Sequence, residues 1–140
     1  MHDWDIQAYT FFVMVGRYEI ELEPEVRQWL ESLPAEDYLR VMKLADFLAD
    51  HAETLGEPQT RHLGGKLREL RFSLHRDQRR ITYWLAPGRR IVLLTVFRKT
   101  RMQETAEVQR ARQAQEECAA GHIPAAHHEV YDRAVTEEEL

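Results

Sequence analysis

Cysteine is almost missing from this chain: Cys118 is the only one in 140 residues. No internal disulfide can form, which fits a reducing compartment, and the expected reading of Cys118 is an inert thiol near a helix end. Long apolar runs are missing too. The longest near the N-terminus, Phe11-Phe12-Val13-Met14-Val15, is far too short to span a bilayer. Asp3 and Asp5 stand where a secretory leader would carry Lys or Arg. A cytoplasmic protein without membrane association is therefore expected. The six glycines form neither a phosphate-cradling loop nor a nucleophile elbow. His122, His127 and His128 have no acid or cysteine at a local ligand spacing, so neither a metal site nor a cofactor is expected.

What the chain does have is separated charge. Residues 61–112 hold 14 of the 19 Lys and Arg against four acids, a formal +10; residues 1–60 carry −9 and residues 113–140 carry −6. Blocks of opposite sign point to a polyanion-facing surface on a less basic scaffold. The basic block alternates in Leu67-Arg68-Glu69-Leu70-Arg71-Phe72 and in Arg80-Ile81-Thr82-Tyr83-Trp84. Period-two alternation marks strands, and it sends cations to one side of a sheet and apolar residues to the other.

The length and the 44% hydrophobic share fit one folded domain. Tyr18-Glu19-Ile20-Glu21-Leu22 reads as a strand, which residues 9–15 extend or precede. Pro24 opens a helix whose Val26, Trp29, Leu30 and Leu33 follow an i, i+3, i+4, i+7 stripe. Pro34 restarts the chain into a second helix over about 35–52. Leu39, Leu44 and Phe47 widen its apolar face, so cover on more than one side is expected. Gly64-Gly65 leads into three strands, at about 67–74, 79–86 and 90–97. Pro87-Gly88 carries a type II turn signature between the last two. A thin-striped basic helix begins near Thr105 and runs to about 115–119. From Gly121 the polar, acidic tail is expected to be weakly ordered.

Three motifs give this order more meaning: Leu67-Arg68-Glu69-Leu70-Arg71, Arg80-Ile81-Thr82-Tyr83, and Leu93-Leu94-Thr95-Val96-Phe97-Arg98-Lys99-Thr100. Thr105-Ala106-Glu107-Val108-Gln109-Arg110-Ala111 follows them. Together they resemble the RelE/HigB superfamily of bacterial type II toxins, above all its phage-derived HigB-like branch. The resemblance implies an α+β fold, with an N-terminal strand and helix hairpin packed on a small, mainly antiparallel sheet and a basic C-terminal helix. It divides the chain into an N-terminal extension (1–17), the toxin domain (18–117) and an acidic tail (118–140). It further implies a metal-independent endoribonuclease that cuts messenger RNA on the ribosome, and a cognate helix-turn-helix antitoxin that neutralises it.

Metal-free RNA cleavage uses the substrate's 2′-hydroxyl as nucleophile, so it needs a base, cations around the phosphorane and a proton donor for the leaving oxygen. Guanidiniums suit the phosphorane because they offer paired donors and stay charged. By the resemblance, Arg71, Arg80 and Lys99 are the phosphate-stabilising cations; Arg68, Arg98, Arg101 and Lys66 are RNA-binding residues. As exposed strand cations, Arg71, Arg80 and Lys99 should be replaceable without unfolding the protein. Glu69, the one acid on these strands, reads either as the catalytic base or as the partner of a cross-strand Arg. Residues 100–112 lack the Tyr or His that many relatives place there. This leaves His75 or His62 as weaker donors, and it keeps open a non-catalytic RNA- or partner-binding module. Antitoxin docking is expected on the helical side, near residues 24–52, where Glu25, Glu31, Glu36 and Asp37 could meet a basic partner.

Overall fold

The computed structural model describes residues 17–101, 104–126, 128 and 135. The strand expected within 9–15 lies outside these residues, as does His127. The elements are β1 (Glu19–Leu22), α1 (Pro24–Ser32), α2 (Ala35–Asp50), β2 (Thr60–Gly64), β3 (Leu67–Leu74), β4 (Asp77–Ala86), β5 (Arg90–Arg98), α3 (Glu104–Ala119) and α4 (Ile123–Ala126). The strands form one sheet in the order β1-β5-β4-β3-β2. All neighbours are antiparallel except β1, which runs parallel to β5. A parallel partner requires a crossover, and the α1–α2 hairpin begins it.

Alternation along the strands builds two cores. On one face Leu70, Phe72, Leu74, Ile81, Tyr83, Ile91 and Leu93 pack with Val26 and Leu30 of α1 and Tyr38, Val41 and Leu48 of α2. On the other, Leu67, Trp84, Val92 and Leu94 pack with Ala111 and Cys118 of α3. Full burial of each Leu, Ile or Val contributes about 1.5–3 kcal/mol, so β5, covered on both faces, is the strand most tightly held. Thr82 and Thr95 lie opposite each other just before a register shift between Thr82 and Tyr83, with their hydroxyl oxygens 2.5 Å apart. That bond satisfies two hydroxyls that have no access to water.

Several expectations change here. β2 was not foreseen, because Thr60-Arg61-His62-Leu63-Gly64 carries one large apolar side chain and no clear alternation. Its first residue is pinned instead by polar bonds: the Thr60 hydroxyl donates to the Leu55 carbonyl over 2.9 Å. The Arg71 N–H donates to the Gln59 carbonyl just before the strand. Leu39 and Phe47 of α2 are exposed, so the outer side of that helix has no cover among the described residues. The helix α3 does have one, since its small Ala111 lets it lie close over Trp84 and Val92. Beyond Gly121 the described residues place α4, the buried His128 side chain beside Glu21 of β1, and Val135 against the first core. The Pro87-Gly88 turn stands as expected, with Gly88 at φ +83° in the left-handed region such a turn demands. No helix among the described residues is long and apolar enough to cross a membrane.

Candidate functional site

Strand register decides which cations share a face. Arg71 lies directly opposite Arg80 across β3 and β4, and Arg80 lies opposite Phe97 of β5. One step along, Arg61, Glu69, Thr82 and Thr95 form the next cross-strand row. This is the α3 face of the sheet, at the end that α3 only begins to cover. Two like charges directly opposite each other are unfavourable; Glu69 relieves them. Its Oε1 lies 3.8 Å from the Arg71 Nε and 3.7 Å from the Arg80 Nε.

Burial ranks these three groups. Glu69 is 0% exposed, the Arg80 side chain 4%, and the Arg71 side chain 25%. Burial raises the Glu69 pKa above its ordinary value, opposed by the positive charges of Arg80 and then Arg71. Burial also lowers the Arg80 pKa, helped by Arg71 and opposed by Glu69. Arg71 is therefore the member of the trio that meets solvent, while Glu69 and Arg80 support it from beneath. The expectation that Arg80 is an exposed strand cation is corrected: residues on both sides of it in the sheet shut out water. The base role expected as one option for Glu69 meets the same obstacle, and its geometry fits the ion-pair option.

A hollow of about 320 Å³ opens beside the pair, lined by Pro58, Gln59, Arg71, Ser73, Gln78 and Arg80 among others. A second hollow, of about 480 Å³, lies between β2 and the start of α3, lined by Arg61, Leu63, Glu104, Gln109 and Arg112 among others. Neither lining includes a His or Tyr. Arg112 is occupied, donating to the Leu63 carbonyl over 2.9 Å. Lys99 follows β5 as an exposed residue whose N–H donates to the Gln78 carbonyl, so it stands at the same end of the sheet. Arg101 is exposed just beyond it. Lys66 sits over the Trp84 ring, 5.8 Å from its centroid, on the α3 face.

Other expected residues are not brought to the pair. Arg68 lies opposite Tyr83 and His62, in the register of the helix-hairpin face and away from Arg71. A strand places neighbours on opposite sides, and Arg68 and Arg71 are three apart. Arg98 lies opposite Arg79 and pairs with Asp77 at 3.7 Å. His75, in the β3–β4 turn, is tied to Asp37 of α2 at 3.1 Å. His62 contacts the Gly65 carbonyl at 2.7 Å. Both histidines thus belong to other contacts. Of the four acids expected to meet a partner, Glu25 accepts from the Val96 N–H at 2.9 Å and pairs with Arg110. Asp37 holds His75, Glu31 lies 3.8 Å from Arg27, and Glu36 is exposed.

One group of metal-ligating type exists among the described residues: Glu23, Cys118 and His128, whose ligand atoms all lie within 4.8 Å of one another. Sequence spacing hid it because Glu23 comes from the β1–α1 junction, almost a hundred positions before Cys118. Burial raises the Cys118 thiol pKa, and the Glu23 charge adds to that, so as a free thiol it is unreactive. No protein of curated function matches the chain with significance. Residues 28–116 match the family described as phage-derived protein Gp49-like (DUF891), and the chain belongs to that family, a RelE/HigB-like toxin family.

Proposed function

We propose that this protein is the toxin of a type II toxin-antitoxin pair, and that it cleaves messenger RNA on the ribosome through attack of the 2′-hydroxyl. The observation that carries this reading is the Arg71–Arg80 cross-strand pair, held over buried Glu69 beside an open hollow. In a RelE/HigB-like family, such a pair is suited to the phosphorane. Arg71 contacts the phosphate, Glu69 holds Arg71 in place, Arg80 adds its field, and Lys99 neutralises a second oxygen. Lys66 and Arg101 bind flanking phosphates; Arg68 and Arg98 do not, because their register places them on the other face. No cofactor is needed, since the substrate carries its own nucleophile. An antitoxin docks on the helix hairpin, where Leu39 and Phe47 offer apolar contact and Glu31 and Glu36 remain on the surface.

A second reading, a non-catalytic RNA- or partner-binding module, is favoured by one observation: neither hollow is lined by a His or Tyr that could move a proton. Expression of the chain alone in bacteria separates the two. Growth arrest with transcripts cut at defined positions supports the toxin, whereas normal growth with intact transcripts at confirmed expression supports the binding module.

A further inference from the structure

At the far end of the α3 face, four elements bring chemistry-bearing side chains together. Glu23 occupies the N-cap position of α1, yet its side chain makes no capping hydrogen bond. Its Oε1 instead lies 2.8 Å from His122 Nε2 and 3.0 Å from His128 Nε2. Cys118, in the last turn of α3, completes the group: its sulfur, Glu23 and His128 offer ligand atoms that all lie within 4.8 Å of one another, and His122 joins them through its hydrogen bond with Glu23. The His128 ring is 3% exposed, and neither of its nitrogens makes an oriented hydrogen bond. A buried imidazole that faces carboxylates without donating to them is a costly arrangement for a histidine serving only as a hydrogen-bonding group. It is the arrangement expected of ligands gathered around a common centre.

We propose that Glu23, Cys118, His122 and His128 bind a divalent transition ion of the Zn²⁺ type. The donor set, one thiolate, two imidazoles and one carboxylate, is the mixed sulfur–nitrogen–oxygen set that selects Zn²⁺ over the hard cations. Neighbouring donors around four-coordinate zinc are roughly 3.3–3.6 Å apart, given bond lengths of about 2.0–2.3 Å; side-chain rotations reach that spacing by opening the Glu23 contacts of 2.8 and 3.0 Å and drawing in the wider ones. Glu23 and the Cys118 thiolate supply two negative charges against the dication, and binding releases one proton from the thiol. Outside the ligands, Glu21 Oε1 lies 3.3 Å from His128 Nδ1 and 3.1 Å from the Arg90 guanidinium. Binding through His128 Nε2 would turn its Nδ1–H onto Glu21 and complete the carboxylate–histidine–metal relay that fixes a ligand ring. A hollow of about 260 Å³, lined by Glu23, His122 and Pro124 among others, gives the ion a route in. Four protein ligands leave no open position, so the ion is structural: it fastens the end of α3 and the segment through His128 to the β1–α1 junction.

The test is a Co²⁺ titration of the full chain after chelator treatment. Because Cys118 is the only cysteine, a thiolate-to-cobalt charge-transfer band by itself reports on this site. One equivalent of Co²⁺ should give that band together with the intense visible bands of four-coordinate cobalt, and Zn²⁺ should displace both. Cys118→Ser should abolish the charge-transfer band, His128→Ala should weaken binding by more than about 100-fold, and Glu21→Gln by about 10–100-fold. Titration of the folded wild type without a thiolate band overturns the proposal even if a variant fails to fold. So does unchanged affinity in folded Cys118→Ser and His128→Ala, which would leave Glu23 and the histidines as a hydrogen-bonded clasp alone.

Discussion

Replacing Arg80 by Gln probes the support beneath the cation pair. The side chain is 4% exposed and its Nε lies 3.7 Å from a Glu69 oxygen that has no contact with solvent. At an effective dielectric of about 20, two unit charges at that distance attract by about 4 kcal/mol. Loss of that attraction is partly offset by the end of the repulsion from Arg71, and breaking one side of a buried pair typically costs about 3–5 kcal/mol. Arg80→Gln is therefore expected to lose about 3 kcal/mol at neutral pH, near the low end of that range. The pH dependence follows from Glu69. In the wild type its pKa is raised by burial against the pull of Arg80 and Arg71. Its contribution to stability is thus fully present below the ordinary glutamate value and is lost as pH rises through the raised folded value. Without Arg80 the folded value moves higher still. The deficit of Arg80→Gln is then largest at neutral pH and shrinks in acid, where Glu69 is protonated in both folded proteins. Glu69→Gln should cost much less, because ionised Glu69 is already disfavoured at this site, and the double variant should recover part of the Arg80→Gln loss. Urea unfolding at about pH 7.5 and about pH 4.5 measures all three variants. An equal Arg80→Gln deficit at both values, or a Glu69→Gln deficit just as large, would refute the charge-pair account.

Arg71→Ala and Lys99→Ala should each abolish transcript cleavage while changing stability by less than about 1 kcal/mol, since both cations meet solvent; full cleavage in both folded variants would move the site elsewhere. Glu25→Ala should cost about 1–2 kcal/mol because the Val96 N–H loses its acceptor. Arg110→Ala, which removes the partly exposed ion pairs with Glu25 and Glu107, should cost under about 1 kcal/mol; thermal unfolding that orders these two the other way would contradict the assignment. Gly88→Ala forces a side chain into the left-handed region at φ +83° and should lose about 1–2 kcal/mol, visible as a lower urea midpoint.

Elements with a strong hydrophobic period were readable before any packing was known. Alternation in Leu67-Arg68-Glu69-Leu70-Arg71-Phe72, the apolar run of β5, the stripe of α1 and the Pro-Gly turn each depend on neighbours a few residues away, so each was legible locally. The charge separation likewise pointed to one basic surface, and the adjacency of Arg71 and Arg80 followed from two strands joined by a short turn. Register and burial, by contrast, arise from long-range packing. The edge strand β2 has too little apolar content to announce itself, and it exists because β3 offers it hydrogen bonds. Arg68 and Arg71 look alike in the sequence and lie on opposite faces of the sheet. Arg80 reads as a surface cation, but rows of side chains from its neighbouring strands enclose it together with Glu69. The meeting of Glu23 with Cys118, His122 and His128 depends on α3 crossing the sheet and returning the chain to β1. No local spacing encodes that, because long-range packing of Ala111 and Cys118 on Trp84 and Val92 sets where the helix ends.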